Sequence, residues 1–475
     1  MSETGKLTAT VLPENADDRT VAWWSYDPEV ATVDNDGTVT AVREGTATVG
    51  VTAGGMQTFC TVTVNPAPID VESVKLNATT LTLAPGATRG LTAYVTPYNA
   101  DDTTVTWSSS NPSVASVDDS GTVTAIREGT ATITAQAGGK TATCEVSVLQ
   151  EFVIENGILT KYNGLKSTVT IPANVTQIGN EAFKGCTNLT TVNIPKGVTS
   201  IGDNAFEGCR ELTTVNIPAS MTSIASNAFY NCDNIKTVNY DGTLTQWCSM
   251  KNSYNLIGKA ISVKLSDGKD LKTLTKLEIP EGVTIIEECA FYGCTALENV
   301  IIPDSVTDIH SSAFESCERL KTVKISKNVS KIESKVFLWC RSLESVTIPD
   351  GVTSIEEYAF YYCDALTDVS IPTSVKKIGE MAFIGCKSLK NVTIPDGVES
   401  IENGTFMDCS KLINVTIPAN VKKIHLLSFN GCSGSIVVNY GGTKSQWESL
   451  DFNKYFPSGT TIHDKNNTTW SVVRL

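Results

Sequence analysis

Histidine is almost missing from this chain: His310, His425 and His463 are the three in 475 residues. Metal centres and triads built on imidazole need such side chains to converge, so both are nearly excluded. Positive charge is also in short supply, with 37 Lys and Arg against 51 Asp and Glu and a net charge of -14. Nucleic acid and anionic membrane both select for basic patches, and neither is expected as a partner. No apolar run reaches the roughly 18 residues that a spanning helix needs, so no membrane insertion is expected. Also absent are a Cys-x-x-Cys pair, a glycine-rich phosphate loop and a nucleophile elbow, and no cofactor or metal is expected. Carboxylate pairs such as Asp101-Asp102, Asp118-Asp119 and Glu356-Glu357 fit solvated turns better than calcium or acid–base sites.

What the chain has instead is repetition. Cys186, Cys209 and Cys232, then Cys294, Cys317, Cys340, Cys363, Cys386, Cys409 and Cys432, recur at a 23-residue step. A fixed period of this length marks a solenoid, a scaffold that displays surfaces. Its unit is Phe-x-x-Cys-x-x-Leu-x-x-Val-x-Ile-Pro-x-x-Val-x-x-Ile-x-x-x-Ala, as in Phe183, Cys186, Leu189, Val192, Ile194, Pro195, Val198, Ile201 and Ala205. Alternation over residues 191–195 predicts a short strand with one face inward, ended by proline, and stacked turns then build a parallel sheet. The Ala-Phe-x-x-Cys segment is expected to be a turn of helix or 3₁₀ packing back on that sheet. Thiols on consecutive turns point the same way, so they are expected to be buried small hydrophobes, neither disulfides nor metal ligands. Cys248 and Cys289 fall outside the ladder and are the cysteines to watch for reactivity. His310 and His425 share a repeat position five turns apart and cannot share a ligand.

With Ile-Pro where other leucine-rich repeats place Leu-x-x-Asn, the pattern resembles the BspA-like leucine-rich repeats of bacterial surface proteins. Local departures keep the register: Ser326 for proline, Met221 for valine, and Val336, Thr405 and Ser428 for alanine. One break interrupts it. Residues 240–247 (Tyr-Asp-Gly-Thr-Leu-Thr-Gln-Trp) match 440–447 (Tyr-Gly-Gly-Thr-Lys-Ser-Gln-Trp), and since the second copy sits at the solenoid's end, both are expected to be caps. The stack should restart at Leu274, Leu277, Ile279 and Pro280, and residues 152–159 should form a capping hairpin on an Asn-Gly turn.

A longer repeat fills the first 150 residues. The run from Pro13 through Trp23, Gly37 and Gly45 to Cys60 returns 84 residues later at Pro97, Trp107, Gly121, Gly129 and Cys144. Short alternating runs and Gly-Gly or Asn-Pro turns predict two small β-sandwiches. Trp107-Ser108, the turn from Val117 to Val123 and the strand from Glu128 to Ala131 resemble the group 2 bacterial Ig-like domain. Cys60 and Cys144 are expected to be core thiols. The segment from Val71 to Leu83 has no counterpart in the first copy, so the chain is expected to start inside a domain of a longer protein that carries its export signal upstream.

The expected architecture is therefore multidomain: a truncated Ig-like domain (1–66), an Ig-like domain (67–149) and a leucine-rich-repeat solenoid (150–475), with an internal cap at about 239–273 and a terminal one at about 439–475. The architecture's resemblance to surface adhesins implies a non-enzymatic, extracellular adhesion or ligand-binding protein that recognises a host or neighbouring-cell protein or glycan. A self-associating envelope or matrix component is the alternative, and a glycan-processing enzyme a remote one. Specificity should lie where the constant scaffold varies. The outward strand face carries two polar columns, and Ile301 and Lys324 in one and Asp368 in its neighbour break their uniformity. On the returning limb Tyr292, Leu338, Tyr361, Ile384 and Met407, with Trp339, Tyr358 and Tyr362, would form an apolar stripe if exposed.

Overall fold

The computed structural model describes residues 3–472, so the extreme ends of the expected first domain and terminal cap (Met1, Ser2, Val473, Arg474 and Leu475) lie outside it. Two compact units result, one running to Val148 and the other from Leu149 onward, with Ala84–Gly86 grouped in the second.

In the first Ig-like copy, β1 (Thr4–Lys6), β2 (Ala22–Ser25), β3 (Ala31–Val33), β4 (Thr38–Ala41), β5 (Gly45–Ala53) and β6 (Met56–Val64) form sheets ordered β1-β4-β3 and β2-β5-β6. The second copy begins with β7 (Ser73–Leu76) and β8 (Thr80–Leu83). It continues through β9 (Thr88–Gly90), β10 (Ala93–Thr96), β11 (Thr106–Ser109), β12 (Ala115–Val117), β13 (Thr122–Ala125), β14 (Gly129–Ala137) and β15 (Lys140–Val148). Its sheets run β12-β13-β9 and β11-β14-β15-β8, with β7 paired to β10.

The strands β7 and β8 decide the fate of the two domain cysteines. Parallel pairing of β8 sets Leu81 opposite Val146 and closes Cys144 into a core with Ile133 and Val146. On β6, which among the described residues pairs only with β5, Cys60 is exposed. The core expectation for Cys60 is thus corrected: alternation along a strand names an inward face, but burial requires something to cover it.

The second unit opens on the hairpin β16 (Phe152–Glu155) and β17 (Ile158–Tyr162). Its turn residues Asn156 and Gly157 both have positive φ (51° and 80°), as a type I′ turn requires. Turns of the solenoid then stack in register, Val192 on Val215 and Val215 on Val238. A five-stranded sheet spans Thr168–Thr170 to Ser262–Lys264, and a separate ten-stranded one begins at Lys276–Glu278 and ends with the antiparallel Thr469–Ser471. Two-residue strands such as Ser200–Ile201 add a second, narrow parallel ladder.

Inside, the phenylalanines stack face to face: ring centroids lie 4.8 Å apart for Phe183 and Phe206, and 5.1 Å for Phe360 and Phe383. The stack is interrupted between Phe229 and Phe291, and Tyr162 and Phe456 close its outer ends. All fourteen cysteines are free. Ladder thiols donate to the Phe carbonyl of the preceding turn, as from Cys317 Sγ to Phe291 O (3.3 Å) and Cys386 Sγ to Phe360 O (3.3 Å). Polar departures from the repeat are satisfied by backbone: Ser326 Oγ donates to Val306 O and Thr405 Oγ1 to Glu402 O.

No α-helical turn forms, and the 3₁₀ alternative survives only as single i→i+3 turns. Cys186 N–H donates to Phe183 O and Leu189 N–H to Cys186 O, each at 3.1 Å, so the limb is a run of tight turns. Left-handed residues on either side of the Phe, Glu181 at φ 57° and Gly185 at φ 71°, interrupt any right-handed helical run.

The break is a joint within one continuous core. Mid-stack, each Ala carbonyl accepts from the Phe N–H one turn earlier, as Ala205 O does from Phe183 at 2.7 Å. Ala290 has no such turn before it, and the buried Trp247 indole supplies the donor instead, Nε1 to O at 2.8 Å. Lys272 Nζ likewise serves the carbonyls of Tyr292 (3.2 Å) and Gly293 (2.9 Å). Both caps start alike, with a Thr–Gln capping box at Thr243/Gln246 and Thr443/Gln446. They end differently: in the terminal cap Trp447 Nε1 donates to Asn453 Oδ1, and Thr469–Ser471 pairs antiparallel with the last parallel strand.

Candidate functional site

Each solenoid turn holds a second left-handed position, just before the ladder cysteine. Gly185, Gly208, Gly293, Gly385 and Gly431 occupy it in five turns, and Asn231, Ser316 and Asp408 in three more, all with positive φ. Small or Asx-type residues are what this conformation favours. In two consecutive turns the place is taken by Trp339 (φ 58°) and Tyr362 (φ 55°). Tyr358, at the other left-handed position of its turn, has φ 58° as well. Bulky residues held this way are conformational outliers, and such strain gathers where function maintains it.

The three tyrosine rings meet. Tyr361 packs edge to face against Tyr358 (5.5 Å) and Tyr362 (4.7 Å), while Trp339, one turn earlier, is tied to Tyr361 by its backbone N–H, which donates to Tyr361 O at 2.8 Å. Cations frame the rings: Lys335 over Tyr358 at 6.0 Å, with Arg341 at 5.9 Å and Lys387 at 5.4 Å over Tyr362. Asp364 bridges the last two through ion pairs of 2.9 and 3.1 Å. Gly385 makes room for the Tyr362 ring, since a Cβ there would sit 2.8 Å from Cδ1. Burial and the neighbouring tyrosines raise the Tyr361 phenol above its ordinary range, so it stays a neutral donor. Trp339 remains 39% exposed. The arrangement is a rigid, partly open aromatic ridge with positive flanks, able to stack on flat apolar faces and to donate hydrogen bonds around them.

The stripe expected along this limb is not continuous. Leu338 and Ile384 are buried and so add nothing to an exposed stripe. Tyr292 is half-buried at the joint, beside Gly258 and three turns from Tyr361. Met407 is half-buried two turns beyond Tyr361. On the strand face Ile301 and Lys324 are exposed and directly opposite one another, whereas Asp368 is exposed in a different column, two strands past Lys324. In the earlier turns this face bonds to itself: Asn239 Nδ2 donates to Asn216 Oδ1 (2.7 Å), and Asn193 Nδ2 to Thr170 Oγ1 (3.1 Å).

Cys248 and Cys289 are buried, and burial pushes both thiols up to about 12, so the reactivity watched for is corrected to inertness. Among the described residues no group of three or more His, Cys, Asp or Glu could hold a metal ion. His310 faces Glu287 (3.1 Å) and His425 faces Glu402 (3.2 Å), each pair bridging adjacent turns.

Two features escaped the sequence reading. The glycine position taken over by Trp339 and Tyr362 is visible once the repeats are aligned on their cysteines. A second aromatic group, Trp24, Tyr26 and Phe59, lies on the first Ig-like sheet with centroids 6.1 to 6.3 Å apart. The second copy has Ser108, Ser110 and Thr143 in those places, a contrast the 84-residue offset already carries.

Comparison with known proteins agrees with this architecture. The BspA type leucine rich repeat region matches residues 154–257, 269–364 and 353–450, and the group 2 bacterial Ig-like domain matches 1–64 and 70–146. An uncharacterised protein of Clostridium acetobutylicum is 39% identical over 138 residues, 28% of this chain and 14% of that protein. An alpha-L-arabinofuranosidase of Bifidobacterium longum is 51% identical over 63 residues, 13% of this chain and 6% of the enzyme. The chain thus spans only a small part of these relatives. Among solved structures, a leucine rich cell surface protein of Faecalibacterium prausnitzii aligns at 27% identity and a TM-score of 0.38, covering 63% of this chain and 95% of that one. By its repeats and its paired N-terminal domains, the chain belongs to the BspA-type leucine-rich repeat proteins and carries tandem group 2 bacterial Ig-like domains.

Proposed function

We propose that this is a non-enzymatic binding protein of the bacterial surface or its surroundings, with the solenoid as recognition head and the Ig-like domains as spacer. Its contact area is the ridge of Trp339, Tyr358, Tyr361 and Tyr362, and its partner is a protein or glycan on a host or neighbouring cell. One observation carries this reading: Trp339 and Tyr362 occupy a left-handed position that five of the ten turns give to glycine. Neither folding nor solubility calls for that choice, whereas rigid aromatic anchors are what interfaces select. Family membership supports the surface setting and the absence of catalysis, and the match to a glycosidase covers only 6% of that enzyme.

The test is a screen of the full chain on an array of glycans and extracellular-matrix proteins, followed by variants on whatever binds. Changing Trp339, Tyr361 and Tyr362 together to alanine should weaken binding by about 2 kcal/mol or more, roughly thirtyfold. The strand-face variant Ile301→Ser, Lys324→Thr, Asp368→Thr should bind as the parent does. Unchanged affinity in the folded ridge variant would move the site elsewhere.

A further inference from the structure

The aromatic group on the first Ig-like domain lies apart from the solenoid ridge. Trp23 packs into the domain core, so alternation turns its neighbour Trp24 to the outer face of the β2-β5-β6 sheet. Across that face Trp24 stands opposite Gly50, and Gly50 opposite Phe59. Tyr26 follows one row on, where its N–H donates to Thr48 O at 2.9 Å. The three ring centroids form a triangle with sides of 6.1 to 6.3 Å. Trp24 stands at 78° to Tyr26 and 87° to Phe59, so the rings make a corner rather than a flat plane. Tyr26 is 61% exposed and Phe59 53%.

This exposure does not depend on the strands that only the second copy has. With β7 and β8 in place, that copy still leaves Ser108, Ser110 and Thr143 open to solvent. Those strands therefore cover other surfaces of the fold. The same comparison shows that the rings replace hydroxyls as a set. Where the second copy runs Ser108, Thr134, Thr143 across its sheet, the first runs Trp24, Gly50, Phe59. Gly50 is not held at a positive φ; what it supplies is room, since a Cβ there would sit 2.5 Å from Cζ2 of the Trp24 ring. A solvent-facing sheet needs none of this, as the hydroxyls of the second copy demonstrate.

Size and chemistry select the occupant. Three partly open rings present on the order of 300 Å² of apolar surface, well under the roughly 800 Å² that each partner gives to a standard protein interface. A triangle of these dimensions matches one or two sugar rings. Around it the outward residues of β5 and β6 are Thr46, Thr48, Thr52, Gln57, Thr61 and Thr63, hydroxyls and an amide without a charge among them. Aromatic rings pack against the C–H faces of a pyranose, and the surrounding hydroxyls and amide pair with its hydroxyl groups. A charged sugar would find no counter-charge on this face.

We propose that the outer face of the first Ig-like domain is a binding site for a neutral glycan. Trp24, Tyr26 and Phe59 pack on one or two pyranose rings, and Gly50 provides the seat of the indole. The site works independently of the solenoid ridge.

Affinity electrophoresis of the full chain through gels carrying a mixed-linkage β-glucan, an arabinoxylan or a galactomannan tests this, with hyaluronan as the charged control. At least one neutral polymer should retard the parent, and hyaluronan should not. Exchanging the patch for the residues of the second copy (Trp24→Ser, Tyr26→Ser, Phe59→Thr) should weaken binding about tenfold or more. Those side chains already occupy the same sheet positions in an intact domain, so the fold accepts them. Gly50→Thr keeps all three rings but unseats the indole, and it should weaken binding as well. The variant with Trp339, Tyr361 and Tyr362 changed to alanine should be retarded as the parent is, which separates this site from the ridge. Retardation that survives either patch variant, or that the ridge variant loses, would overturn the proposal. So would a parent that no neutral polymer retards, or that hyaluronan retards equally. Dimers formed by the parent and not by the exchanged variant, without glycan binding, would make the patch a contact between copies instead.

Discussion

Holding an L-residue at positive φ costs roughly 1–2 kcal/mol, and glycine escapes that cost at an entropic penalty of about 0.5–1 kcal/mol. Trp339→Gly should therefore leave solenoid stability within about 1 kcal/mol of the parent, on the stabilising side, while ligand affinity falls. Chemical denaturation of the two proteins measures the difference. A large loss of stability would mean that the indole is kept for packing. Its buried neighbour should behave in the opposite way, with Leu338→Ala costing about 2–5 kcal/mol. Thiol chemistry separates the same two environments. Native-state labelling should modify Cys60 first, reach the half-buried ladder ends Cys186 and Cys432 slowly, and leave Cys248 and Cys289 untouched until denaturant is added. Fast modification of Cys289 would contradict the burial that pushes its thiol up to about 12.

At the level of elements the joint is the most exacting part of the solenoid. Trp247→Phe keeps a ring in the core but strips the donor from the buried Ala290 carbonyl, an expected loss of about 1–3 kcal/mol in solenoid unfolding. Trp447→Phe should cost less, because its partner, the Asn453 side chain, can turn to water. The joint is acid-sensitive too. Burial raises the Asp270 carboxyl, but bonds from Ser262 Oγ (2.6 Å), Lys272 N–H (3.0 Å) and Val263 N–H (2.9 Å) outweigh it and hold the group below its ordinary value. With the folded value depressed, this stabilisation is fully present above the unfolded value of about 3.9 and is lost as pH falls through the folded one. The thermal midpoint should thus start to drop as pH falls below about 4 and keep dropping toward the folded value, and drop less in Asp270→Asn. Equal pH dependence in both proteins would remove Asp270 from the account. Periodicity made much of this level legible, because a 23-residue step fixes which valines and isoleucines must face inward. It could not reveal the left-handed residues that replace the expected helical turn, since φ leaves a trace only where glycine is the common choice. Nor could it show that Leu338 and Ile384 are buried, a matter of packing in the stack rather than of order within one repeat.

Across the whole molecule, the two Ig-like copies form an internal comparison. Residues 3–65 should show weaker hydrogen-exchange protection than residues 70–149, because β6 ends its sheet while β15 has a neighbour on each side. Equal protection would mean that β7 and β8 add little to the second copy. Cys60 belongs to this scale as well: its sequence context is that of Cys144, and only the presence or absence of a covering strand separates them. The joint has one consequence beyond stability. No strand pairing links Ser262–Lys264 to Lys276–Glu278, so the two sheets are mechanically in series and are connected by side-chain donors, core contacts and isolated backbone bonds such as Glu287 N–H to Cys248 O (2.8 Å). Under tension each sheet resists peeling through its own repeated ladder, and the seam between them has no ladder to share the load. Pulled from its ends in a single-molecule experiment, the solenoid should therefore lengthen in two episodes divided at the seam, the internal cap serving as a fuse that lets one half yield while the other stays folded.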